Sequence, residues 1–161
     1  MTFSVDVVRA GEIASAADDF AWTWEVVDVA AFCERIGWAA PVITPPASAK
    51  IRTDVAVGRA EAAVRFDRGK FSKISCYVTD IVAIGDEAVV VDAFAQLAQR
   101  VSDVLGTPTR RVPGEDPAVL WERPAVVVAL VALSRSVKLE LRDPRRQAEM
   151  DADARDFERS G

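Results

Sequence analysis

Ala125-Val-Val-Val-Ala-Leu-Val-Ala-Leu133 contains no polar side chain. A strand that alternates between core and solvent shows a period of two, whereas one covered on both faces reads as a continuous apolar run. The run is too short to cross a membrane as a helix. It therefore predicts a central strand buried from both sides. Its neighbours are strands too. Upstream, Val119 and Trp121 share one strand face, and Glu122-Arg123-Pro124 is a tight connection. Downstream, Ser134-Arg135 turns into a strand in which Val137, Leu139 and Leu141 alternate with Lys138, Glu140 and Arg142. That alternation predicts one buried and one solvated face.

Before these strands comes a long helix. From Gly85-Asp86 onward, Val90, Phe94, Leu97, Val101, Val104 and Leu105 form an apolar stripe, while Asp92, Gln96, Gln99 and Asp103 lie mostly away from it. Gly106 ends the helix and Pro108 prevents a restart. On its other side lies a meander in which Ile51, Thr53, Val55 and Val57, then Ala60, Ala62, Val64 and Phe66, then Ile74, Cys76 and Val78 face inward. Gly58-Arg59 and Asp67-Arg68-Gly69-Lys70 are the turns. Residues 81–84 fit a connection or an extra strand turn. Pro41 to Pro46 predicts an extended surface connection.

Two helices open the chain. Ala10, Ile13, Ala17 and Phe20 recur at helical spacing between Arg9 and Phe20. Thr23 is a plausible N-cap for a second helix running to Ile36, with Val26, Val29, Cys33 and Ile36 along its stripe and Gly37 as its left-handed end. Phe20, Trp22, Trp24, Phe32 and Trp38 concentrate aromatic surface here. They read as rings packing helices onto the sheet, or as a partner-binding or base-stacking platform. At the other end Asp143-Pro144 is a strong helix start. The charged segment 144–161 after it reads as a solvated helix or a tail. The whole is an α+β fold, a single domain over 1–161 with a mainly antiparallel sheet and the order ααβββαβββ, followed by the C-terminal helix or tail.

Composition narrows the function. Of 161 residues half are hydrophobic, 28% are charged and the net charge is −5. That is a globular composition whose acidic balance opposes non-specific nucleic-acid binding. The N-terminal stretch shows no secretory signal, and Cys33 and Cys76 read as reduced core residues, so the expected compartment is the cytoplasm. There is no histidine, which removes the usual neutral-pH base, the Ser-His and Cys-His pairs and the commonest metal ligand. Glycine-rich phosphate loops are absent. The adjacent acids Asp18-Asp19, Asp86-Glu87 and Glu115-Asp116 are explained by helix geometry, capping and turn chemistry. The expectation is no enzyme, no cofactor and no metal.

The order Phe20-Ala-Trp-Thr-Trp24, Gly37-Trp38, Leu105-Gly-Thr-Pro-Thr109, Pro113-Gly114 and Trp121 with two following strands resembles a family of small actinobacterial domains of unknown function. The resemblance spans nearly the whole chain and carries over no functional residues. It implies an immunity protein, which holds a cognate secreted toxin inactive in the cytoplasm. The alternative is a secretion chaperone or adaptor for a type VII or related effector. The expected partner is thus a cognate protein toxin, a basic one being compatible, with neither nucleic acid nor membrane, and a homo-oligomer is compatible too. Candidate contacts are Asp18 and Asp19 on the first helix, and Arg110, Arg111, Glu115 and Asp116 in the turn-rich loop, whose plainer reading is a solvated connection.

Overall fold

A computed structural model describes residues 3–160. Its backbone is one eight-stranded antiparallel sheet in the order β1-β2-β3-β4-β8-β7-β6-β5. The strands are β1 (Val42–Thr44), β2 (Ser48–Arg52), β3 (Glu61–Asp67), β4 (Lys70–Tyr77), β5 (Arg110–Val112), β6 (Ala118–Glu122), β7 (Val127–Ala132) and β8 (Val137–Arg142). Helices α1 (Val7–Asp19), α2 (Val27–Ile36), α3 (Ala88–Leu105) and α4 (Pro144–Ser160) complete it. The α+β architecture follows the alternation in the sequence, with two additions. Val42–Thr44 and Arg110–Val112, both expected to be connections, are short edge strands.

The apolar rows of the strands point to one face. Ile51, Ala62, Val64, Ile74, Cys76, Leu139, Leu141, Val128, Leu130, Val119 and Trp121 meet the inner sides of α1, α2 and α3 in the main core. At about 25 cal/mol per Å² of apolar surface removed from water, this layer is the dominant stabilising term. Val104, expected on the inner stripe of α3, is 41% exposed. Ala93 and Ala98 take inner positions instead, because a helix crossing α1 closely admits small side chains. Gly11 on α1 makes the same allowance: a Cβ there would stand 2.9 Å from Nε of Arg100 on α3.

The aromatic cluster is structural. Trp22 stacks on Trp24 with ring centroids 4.7 Å apart, and Phe20, Phe32, Phe71 and Trp38 close around them. Each indole N–H is satisfied, Trp22 by Ala17 O, Trp24 by Ala125 O, Trp38 by Asp54 and Trp121 by Gly106 O. A buried indole needs such a partner. Thr23 does not cap α2, which begins at Val27. Trp24 adopts a left-handed φ of 63°, and residues 24–26 bond to the β3–β4 hairpin through Phe71 N–H to Trp24 O and Val26 N–H to Gly69 O. These bonds hold the segment out of the helix. Asp28, inside the first turn and buried, reaches back to accept from the backbone N–H groups of Thr23 and Trp24 and from the Thr23 hydroxyl. Asp6 and Asp80 act likewise. Asp6 caps α1 at Arg9 N–H and binds Ala56 N–H, while Asp80 accepts from Ser4 and Gly58.

Cys33 and Cys76 are free and buried, with burial pushing their thiols up to about 11 and about 12. No helix among the described residues is long and apolar enough to cross a membrane.

Candidate functional site

The second face of the sheet holds the polar half of every alternation, and strand register brings those residues into rows. One row runs Lys50, Ala63, Ser75, Glu140, Ala129, Leu120, Arg110. A second small apolar cluster, Ala118, Leu120, Val127, Ala129 and Val131, lies on β6 and β7. The expectation that β8 has a solvated face is overturned: Glu140 and Arg142 are 7% and 8% exposed. The cause is α4, which leaves the end of β8 and returns over this face. Asp143 just before the helix and Gln147 and Asp151 on its inner side make an i, i+4 ladder of polar residues.

A continuous polar chain fastens it. Glu140 Oε1 accepts from Arg142 Nε at 3.0 Å and Nη2 at 2.7 Å, and its Oε2 lies 3.4 Å from Lys73 Nζ and takes the Ser75 hydroxyl at 3.2 Å. Arg142 Nη1 donates to Gln147 Oε1 at 2.7 Å, and Gln147 Nε2 donates to Asp151 at 3.1 Å. Asp151 accepts both terminal nitrogens of Arg110, at 3.1 and 3.0 Å, and Arg110 also reaches Glu122 at 3.4 Å. Burial pushes the Glu140 carboxyl up, but Arg142 and Lys73 outweigh it, and the group ionises below the ordinary glutamate value. A buried charge is tolerable only when paired in this way.

Beside this strap, between α4 and strands β3, β4 and β8, runs a groove of about 420 Å³. Ser75, Glu140 and Arg142 form its buried floor; Arg65, Lys73, Lys138, Arg146 and Met150 border it. It continues past a β-bulge near Ser72 into a second depression of about 700 Å³ bordered by Arg65, Arg68, Lys70, Arg145 and Arg146 and by Asp67, Asp143 and Glu149, with Arg145 paired to Asp143 and Arg146 to Glu149. The bulge turns Phe71 inward to the aromatic cluster while Lys73 stays on the outer face. In a chain of net charge −5 the cations here outnumber the acids, and Arg65, Arg68 and Lys70 make no ion pair among the described residues.

The residues read from the sequence as contacts do not gather into one surface. Asp18, at the end of α1, pairs with Arg123 at 3.2 Å; Asp19 is exposed beside it. Arg110 and Arg111 point to opposite faces of β5: Arg110, opposite Leu120, is engaged by α4, and Arg111, opposite Val119, is exposed. Glu115 and Asp116 are exposed in the turn after β5. Sequence reasoning missed the groove. Its signal was that Arg65, Lys73, Lys138 and Arg142 occupy the polar side of three separate alternations and share one sign. Among the described residues, no group of three or more Cys, Asp or Glu is placed to hold a metal.

No curated protein and no solved structure matches this chain. Residues 8–143, everything from α1 through the end of β8, match a family model. The chain belongs to that family, described as a family of unknown function (DUF6301).

Proposed function

We propose that the chain is a non-enzymatic immunity protein that binds a cognate secreted bacterial toxin and neutralises it by blocking its active site. The observation that supports this most is the state of Glu140. It is the buried carboxylate on the groove floor, and it is committed to Arg142, Lys73 and Ser75. A group held ionised by two cations has no proton to give and little basicity to offer at neutral pH. The chain also has no histidine. The groove is therefore built for electrostatic recognition, and recognition without turnover is what a stoichiometric inhibitor needs. The place of action in this reading is the cytoplasm of the producing cell.

The acidic residues of the helical side, Asp18 and Asp19 among them, would speed encounter with a basic surface on the same toxin. Mixing the protein with the toxin encoded beside it should give a 1:1 complex by gel filtration and abolish toxin activity. Separate migration at micromolar concentration would sink the proposal. A secretion chaperone is the second reading, favoured by one observation. The open half of the sheet, ending in the exposed Val42 and Ile43, suits an extended client segment. A chaperone would leave the folded toxin active.

A further inference from the structure

We infer that the open half of the second sheet face, over β2, β3, β4 and β8, takes an acidic, extended segment of a partner protein. Four cations stand on it, Lys50, Arg52, Arg65 and Lys138, beside one carboxylate, Glu61, which opposes Arg52 and is paired with Arg59 at 3.5 Å. None of the four cations makes an ion pair within the described residues. They occupy one face by register, since Lys50 opposes Ala63, Ser75 opposes Ala63, and Lys138 opposes Tyr77. From β2 to β8 is three strand spacings, about 14 Å. Arg65 and Lys138 border the groove while Lys50 and Arg52 lie beyond it on β2, so the set is spread wider than a site for a small anion would require. The charges extend over the length of about four extended residues, with α4 as a wall on one side.

The chemistry of the face selects carboxylates over nucleic acid. The ring on this face, Tyr77, is already covered by Lys138 Nζ at 4.6 Å and by the Arg59 guanidinium at 5.3 Å from its centroid. A base would have to displace a cation in order to stack there. This inference rests on the binding reading above, and it names the chemistry of the partner at that surface.

The test is a fluorescence-anisotropy titration of the full chain with a labelled ten-residue Asp/Glu-rich peptide at low salt, beside a single-stranded oligonucleotide of equal length. We expect the peptide to bind, the affinity to fall as salt rises, and the triple variant Lys50→Gln/Arg65→Gln/Lys138→Gln to weaken it about tenfold. Arg111→Gln, an unpaired cation on the other face, should change nothing. Arg65→Gln alone, an exposed change, should give a smaller loss in the same direction and guards against a misfolded triple variant. No peptide binding at millimolar concentration, equal weakening by Arg111→Gln, or tighter binding of the oligonucleotide would each overturn the inference. The two proposals fail separately. If the triple variant still inhibits the toxin fully, this surface is wrong and inhibition stands; if the wild type takes the peptide yet inhibits no toxin, the surface stands and inhibition falls.

Discussion

The second face of the sheet is two surfaces side by side. Over β5 to β7 and the 140–142 end of β8 it is roofed by α4, and there each arginine has a carboxylate: Arg110 has Asp151 and Glu122, and Arg142 has Glu140. Over β2 to β4 it has no roof, and Lys50, Arg52 and Arg65 stand without one. The strands on both sides alternate in the same way. What differs is desolvation. A guanidinium taken out of water without a counter-charge costs several kcal/mol, so a covered arginine must arrive with its acid. An exposed one has no such requirement and keeps its charge for something outside the chain. Pairing therefore separates cations that hold the fold from cations that can recognise a partner.

Breaking the covered side should have the largest effect. Glu140→Ala would leave Arg142 buried beside Gln147 alone, and we expect a loss of about 3–5 kcal/mol in urea denaturation. An equally large loss for Arg65→Ala would abolish the distinction between the two surfaces. Gln147→Ala removes the amide that links Arg142 to Asp151 and should cost about 1–3 kcal/mol by the same measurement.

The pH dependence sharpens the contrast further. Glu140 titrates lower in the folded protein than in the unfolded chain, so its ionised form contributes stability above the unfolded value of about 4.3. That contribution is lost as pH falls through the lower folded value. The stability gap between wild type and Glu140→Gln should be full at neutral pH and should narrow below about pH 4. A gap that persists unchanged at pH 2 would mean that packing, and not charge, is what Glu140 supplies. Asp151→Asn, which frees the half-exposed Arg110, should cost only about 0.2–1 kcal/mol. It should also speed amide exchange in residues 152–160 more than anywhere else in α4. Smallest of all, Lys50→Gln and Arg65→Gln should each shift stability by less than about 0.5 kcal/mol.

Much of the architecture was legible in the chain. The all-apolar strand, the single-faced strands around it, the helix ended by Gly106 and the helix start at Asp143-Pro144 follow from period and punctuation alone. The roof was not legible. Alternation at Lys138, Glu140 and Arg142 records that one side is polar, and it cannot say whether water or another helix lies over that side. Nor does α4 advertise its docking, because Gln147 and Asp151 bind through charge and leave no apolar stripe to read. The groove was hidden for another reason. Lys50, Arg65 and Lys73 come together through the β2-β3-β4 meander, and Lys138, more than sixty residues later, joins them only because β8 inserts beside β4. That pairing spans the long helix and has no local signature. Thr23 failed as a cap because tertiary bonds from the hairpin overrode a sound local preference.

The two outermost strands bear on how the protein behaves in a crowd. An open sheet of this width presents a free row of backbone donors and acceptors at each rim, the template on which fibrils and runaway assemblies grow. Here each rim is only three residues long. Pro41 and Pro45 flank one, and Pro108 and Pro113 flank the other. A foreign strand could form few hydrogen bonds before meeting a residue with no N–H to offer. Short rims bracketed by proline thus disfavour edge-to-edge extension of the sheet.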